Sequence, residues 1–243
     1  MMRDGKFRVF AFGKPNARRM NSINFIKKKM KETIKIAVIG GTGKSGKYLV
    51  RQLISQGFSC KLLVRNPINF QIKSPLIEVI EGDVRDYVAV RRLIEGCGAV
   101  ISTLGMGIPA SEPTIFSRST AHVLQAMKEC GALRYIVTTG LNVDTPLDKK
   151  SEKTAGATDW MKKNFPVSTS DKQTEYSILS SSNVNWTLVR LPMIELTDAR
   201  TTTEVSLEDC PGDKISATDL ACFLIEQLDD DTYIRQSPFI ANE

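Results

Sequence analysis

Gly40, Gly43 and Gly46 are spaced by three in IAVIGGTGKSGKYL, residues 36–49, with Thr42, Lys44 and Ser45 between them. An apolar run followed by a glycine-rich turn and helix-compatible residues is how a strand feeds a helix whose free N–H groups face an anion. Two phosphate-binding loops fit. From Gly41 the stretch is Gly-x-x-x-x-Gly-Lys, a triphosphate loop lacking only its final Ser or Thr; Tyr48 takes that place, and its phenol is a poor substitute for a hydroxyl that holds Mg²⁺. No later apolar strand ends directly in the acidic residue such a site also needs. From Gly40 the stretch is Gly-x-x-Gly-x-x-Gly, a dinucleotide turn. Its three glycines serve the tight turn, the approach of backbone to the pyrophosphate and the packing of helix on sheet.

Other residues fall in the order a dinucleotide would need. The next apolar run, CKLLVRN, ends at Arg65, and an arginine there suits the 2′-phosphate of NADP where a carboxylate would suit the 2′-hydroxyl of NAD. EGDV places Asp83 and Val84 where the adenine would lie, although Asp83 could equally cap the helix beginning near Asp86. Thr103, Leu104 and Gly105 end a further apolar run beside the same path.

The elements that must hold these residues are short apolar strands, expected at 34–39, 59–65, 76–80, 98–103, 133–139 and 185–190. They alternate with helices at 43–56, 86–96, 112–130, 168–182 and 217–228. Repeated β-α-β order predicts an α/β fold, a doubly wound and mostly parallel sheet of Rossmann type with a small C-terminal substrate-side region. Residues 141–166 and 197–214 read as the irregular parts, placed to wall a pocket.

The net charge of +6 belongs to the N-terminus. Residues 1–33 carry ten Lys and Arg against Asp4 and Glu32, so the remainder is slightly acidic. We expect 1–33 to be a basic extension outside the fold and 34–243 to be one NAD(P)-binding domain, with no nucleic-acid or membrane role for the body. Five cysteines without a Cys-x-x-Cys pair, and no apolar run of spanning length, suggest reduced thiols in a cytosol. One histidine, His122, and scattered cysteines assemble no metal site, and His122 reads as structural.

IGGTGKSG, LLVRNP, GDVRD, YIVTTG and WTLVRLP, followed by KISATDLACFLIEQL, resemble the atypical short-chain dehydrogenase/reductases. The similarity is to their NAD(P)-binding NmrA-like and flavin reductase (biliverdin reductase B) types. The resemblance implies an NAD(P) cofactor, and with Arg65 the expectation is NADP, NADPH preferred over NADH. It also implies a Tyr-x-x-x-Lys pair, and here Lys172 stands at the lysine while Ser168 replaces the tyrosine; Tyr176 lies on the wrong side of Lys172. Thr138 and Thr139 match the family's serine position. Pro192, Met193 and Ile194, after the last strand, would sit beside the nicotinamide. Without the tyrosine, two functions remain: reduction of a flat electron-poor acceptor of flavin or quinone type, or a non-catalytic NADP(H)-sensing regulator with a protein partner.

Overall fold

The computed structural model describes residues 34–107 and 111–242, so the basic extension at 1–33 lies outside the described residues. The strands are β1 (Ile36–Ile39), β2 (Cys60–Val64), β3 (Ile77–Glu81), β4 (Ala99–Ser102), β5 (Arg134–Gly140), β6 (Asn185–Leu191), β7 (Met193–Glu195), β8 (Thr203–Ser206), β9 (Lys214–Ser216) and β10 (Phe239–Asn242). The helices are α1 (Gly46–Ser55), α2 (Tyr87–Ile94), α3 (Ile115–Cys130), α4 (Glu152–Asn164), α5 (Pro166–Ser180) and α6 (Ala217–Glu226).

Eight strands form one sheet in the order β3-β2-β1-β4-β5-β6-β10-β8, and β7 pairs with β9 apart from it. Every pair in the large sheet is parallel except β10 with β8. The sheet is doubly wound, as the β-α-β order predicts. Side-chain alternation along β1 shows why: Ala37 and Ile39 join one apolar cluster, Ile36 and Val38 the other. Helices α2, α3 and α5 cover the first face, α1 and α6 the second. The connections from β1 and β4 diverge to opposite sides of the sheet. A crevice therefore opens at their carboxyl ends, the place where such sheets bind ligands.

Three features depart from the sequence reading. Residues 141–166 are largely helical, containing α4, whose start is capped by Ser151 accepting from the Thr154 amide. Only Thr154 and Thr158 of α4 are buried, so it carries no apolar stripe from which a helix could be read. The 197–214 insertion contains β8, which pairs antiparallel with the unanticipated terminal strand β10. Helix α5 begins at Pro166, the residue type whose missing N–H is harmless in a first turn.

Candidate functional site

The loop after β1 is shaped by two glycines. Gly40 has φ +78°, and a Cβ there would stand 2.6 Å from the Thr103 carbonyl oxygen. The Gly43 amide donates to the Gly40 carbonyl at 2.9 Å and closes the turn. A Cβ on Gly46 would run into that same Gly40 carbonyl. Gly46 thus lets the first residue of α1 approach the backbone at the end of β1. Ser45 precedes α1 without a side-chain capping bond, and the first turn holds no acidic residue, so the positive end of the helix is left for an anion. Tyr48 lies partly buried against the apolar cluster under α1, which agrees with the dinucleotide rather than the triphosphate reading.

Beside this loop is a cavity of about 580 Å³. It is lined by Gly40, Thr42, Gly43, Lys44, Ser45, Arg65, Asp83, Val84, Thr103, Leu104 and Gly105, which brings eleven of the sequence-selected residues together. Lys47, Arg85, Ser111 and Ile115 also line it and were not selected. Arg85 had a signal, standing two residues after Asp83. Its guanidinium donates to both Asp83 oxygens, Nε at 2.8 Å and Nη2 at 2.9 Å, and its amide donates as well. That clamp holds the Asp83 carboxyl below the usual carboxylate range. The helix cap is Asp86, which accepts from the Val88 amide, so Asp83 is not the cap. His122 is structural, its Nδ1 3.1 Å from the Val84 carbonyl and its ring edge-on to Tyr87.

A second cavity, about 520 Å³, lies beyond the ends of β5 and β6. Gly140, Leu141 and Asn142 form its inner end; Ala157, Trp160 and Met161 of α4 form one wall, and Cys210 to Asp213 another. Both insertions that interrupt the β-α alternation therefore line it. Pro192 and Met193 line it too, whereas Ile194 packs against the apolar core below. An exposed ion pair, Lys153 with Asp213, joins the two walls. Trp160 had no signal in the sequence because α4 has no apolar periodicity to give it a face, and Asn142 falls after β5 in a stretch that reads as irregular.

Lys172 lies where the two cavities approach. Its ammonium is 5.0 Å from the Phe116 ring centre, next to Ile115 of the first cavity. It is also 3.6 Å from where a Cβ on Gly140, of the second cavity, would stand. Burial lowers its pKa, and Glu175 one turn later pulls the other way. Ser168 is half-buried and its hydroxyl donates to the Phe165 carbonyl, while Tyr176 packs edge-on to Trp186. Neither is placed as a partner of Lys172. Thr138 donates to the Ser102 carbonyl at 3.4 Å, and the buried Thr139 hydroxyl has no partner among the described residues.

Behind Lys172, Glu175 is buried, with one oxygen accepting from Thr120 at 2.7 Å and the other unpartnered. Burial pushes its pKa up to about 7; the Thr120 bond and the Lys172 charge oppose the rise, and Asp171 adds to it. The native state therefore holds a proton that the unfolded chain releases near pH 4.5, so this carboxyl lowers stability as pH rises from about 4.5 to 7. Glu175→Gln should match the parent at pH 5 in urea unfolding and exceed it by about 1–3 kcal/mol at pH 7.5. Equal stability gaps at the two pH values would refute the assignment.

The described residues contain no group of His, Cys, Asp and Glu fit to hold a metal, and no helix long and apolar enough to cross a membrane.

Comparison with known proteins bears on the first cavity. A family described as NAD(P)H-binding matches residues 40–231. A phenylcoumaran benzylic ether reductase of Nicotiana tabacum is 33% identical over 86 residues, covering 32% of this chain. An isoflavone reductase homologue of Arabidopsis thaliana is 28% identical over 122 residues, covering 46% of this chain. Those matches span only 28% and 37% of the relatives' own lengths. A short-chain dehydrogenase/reductase of Veillonella parvula, in complex with NADP, superposes with TM-score 0.71 at 16% identity, covering 86% of this chain and 94% of that one. A candidate NADH-flavin reductase of Streptococcus pneumoniae superposes with TM-score 0.65 at 21% identity, covering 86% and 100%. At these identities the two structures speak for the fold. The glycine loop, the uncapped helix start at the sheet's switch point and the match over 40–231 agree, and the chain belongs to the NAD(P)H-binding family.

Proposed function

We propose that this chain is an NADPH-dependent reductase of a flat, electron-poor acceptor of flavin or quinone type. One observation carries the reading: a largely apolar cavity lies beyond β5 and β6, the Lys172 ammonium stands between its Gly140 and Phe116 beside the first cavity, and neither cavity is lined by a tyrosine among the described residues. The first cavity's residues fit NADPH. Gly40 and Gly46 let the loop fold tightly against Thr103 and its own backbone, which brings Gly40 and Gly43 to the cavity wall, and the α1 N-terminus suits the pyrophosphate. Arg65 is exposed and suits the 2′-phosphate. NADPH would supply the hydride. Lys172 would hold the nicotinamide ribose, as the resemblance implies, and the burial that lowers its pKa keeps water from that corner.

The second cavity would orient the acceptor. Pro192, Met193 and Trp160 offer flat apolar surface, and a flavin or quinone once reduced takes its protons from solvent, so positioning suffices. A regulator remains the second reading. It is favoured by the exposed Trp160–Phe165 pair and the neighbouring Val167, apolar surface of the kind a protein partner covers.

NADPH oxidation against a panel of flavins, quinones and small carbonyls tests the reading. Ser168→Ala should leave the turnover number within about threefold, since a serine whose hydroxyl is bonded to the start of its own helix carries none of the usual proton-transfer share. Tight NADPH binding without oxidation by any acceptor would leave the regulator standing.

A further inference from the structure

Asn142 is 1% exposed, lines the second cavity, and its Oδ1 has no hydrogen-bond partner among the described residues. The orientation of its carboxamide is fixed. The Thr169 hydroxyl donates to the Met161 carbonyl at 3.3 Å, so toward Asn142 that hydroxyl can only accept, and Asn142 Nδ2 donates to it at 2.9 Å. The amide cannot be turned without breaking that chain. Its oxygen is thereby held as a pure acceptor against Gly140, which lines the inner end of the cavity, with the Lys172 ammonium 3.6 Å from where a Gly140 Cβ would stand. Gly140 makes the room, since a Cβ there would collide with Oδ1. A buried acceptor left unpaired is costly, and native proteins rarely keep one without a use.

We propose that Asn142 Oδ1 is a specificity element that accepts a hydrogen bond from a ring N–H of the acceptor. The acceptor is then a planar heterocycle with an imide or lactam N–H, not a quinone. An oxidised quinone presents only carbonyl oxygens, which would face Oδ1 lone pair to lone pair and leave it unsatisfied. A tricyclic isoalloxazine carries one imide N–H, and the cavity's volume is within the range that encloses such ligands. Trp160, Pro192 and Met193 would flank the ring, and Gly140 would admit its edge to Asn142. The proposal rests on the reductase reading for taking this cavity as the acceptor's site.

The test uses lumiflavin and 3-methyllumiflavin, which differ in that N–H, titrated by fluorescence quenching into the full chain with saturating NADP⁺. Lumiflavin should bind at least about tenfold more tightly. Asn142→Leu should erase the difference while leaving the NADPH dissociation constant unchanged; the ligand pair on the parent protein keeps the test decisive if that variant does not fold. Equal binding of the two flavins, or no binding of either, overturns the proposal. Selective binding without NADPH oxidation would instead uphold Asn142 and remove the reductase reading. Oxidation of NADPH by both flavins at equal Michaelis constants would remove Asn142 and keep the reductase.

Discussion

Asp148→Ala is expected to lower stability by about 3–5 kcal/mol, the cost of leaving a buried charge without its counter-charge. Arg190 at the end of β6 is fully buried. Its guanidinium donates to Asp148 Oδ1 at 2.6 Å, to the Ser237 carbonyl at 2.8 Å, to the Leu207 carbonyl at 3.1 Å and to the Val143 carbonyl at 3.3 Å. It also lies 3.5 Å from the centre of the Phe239 ring. Burial lowers its pKa and Asp148 opposes the fall, so the carboxylate is the counter-charge that offsets the cost of burying the guanidinium. Asp148 is itself fixed by the Thr145 amide and hydroxyl. For a domain of this size the loss corresponds to a fall of about 6–20 °C in melting temperature.

The double variant Asp148→Ala with Arg190→Met should recover much of that loss, since a buried pair replaced by apolar groups is often near neutral. Equilibrium urea unfolding of the three proteins decides the matter. A loss under about 1 kcal/mol for Asp148→Ala would show that water or carbonyls alone satisfy Arg190. The same network ties β6 to the loop at 143–148 and to the insertion at 207. Its failure should therefore also loosen the second cavity, whose lining includes the next residue, Leu191.

The contrast between the two cavities explains what could be read from sequence. The first is built from loops that each directly follow an apolar strand, so strand periodicity fixes both the sheet and the positions of Gly40, Arg65, Asp83 and Thr103 around its crevice. These are local consequences of a repeated unit. The second cavity depends on chain that comes together only in three dimensions. Asn142 and Trp160 meet Cys210 to Asp213 because α4 folds across the ends of β5 and β6, and α4 buries two threonines rather than an apolar stripe. β10 is similarly hidden. Phe239–Asn242 is a short terminal run whose neighbours, β6 and β8, are set by long-range register. Arg190, prominent as part of VRLP, gives no sign in sequence of being buried; its partners lie 17, 42 and 47 residues away. Ile194 illustrates strand alternation at short range, since Met193 faces the cavity and its neighbour turns to the core.

Arg65→Glu is expected to reverse a preference for NADPH over NADH. Arg65 follows the last residue of β2, exposed on the rim of the first cavity, with no hydrogen bond or ion pair among the described residues. The carboxylate nearest the same rim, Asp83, is held on both oxygens by Arg85, and that clamp offsets the charge that would otherwise repel a phosphate. On the proposed reading Arg65 is the cation that would pair with a 2′-phosphate, while Lys44 and Lys47 stand by the loop at the other end of the crevice. Removing a charge-assisted contact costs about 1.5–3 kcal/mol, and a glutamate adds repulsion, so the NADPH dissociation constant should rise about 10- to 150-fold or more. NADH, with a 2′-hydroxyl that can donate to a carboxylate, should bind no worse and gain relative to the parent. Raising salt should weaken NADPH binding to the parent more than to the variant, because the lost contact is ionic and solvent-exposed. Arg85→Ala supplies the control: freeing Asp83 should also weaken NADPH, by less, because Arg65 still pairs with the phosphate. Nucleotide fluorescence titrations measure all of these, and equal affinity of the parent for NADPH and NADH would remove Arg65 from the 2′-phosphate role.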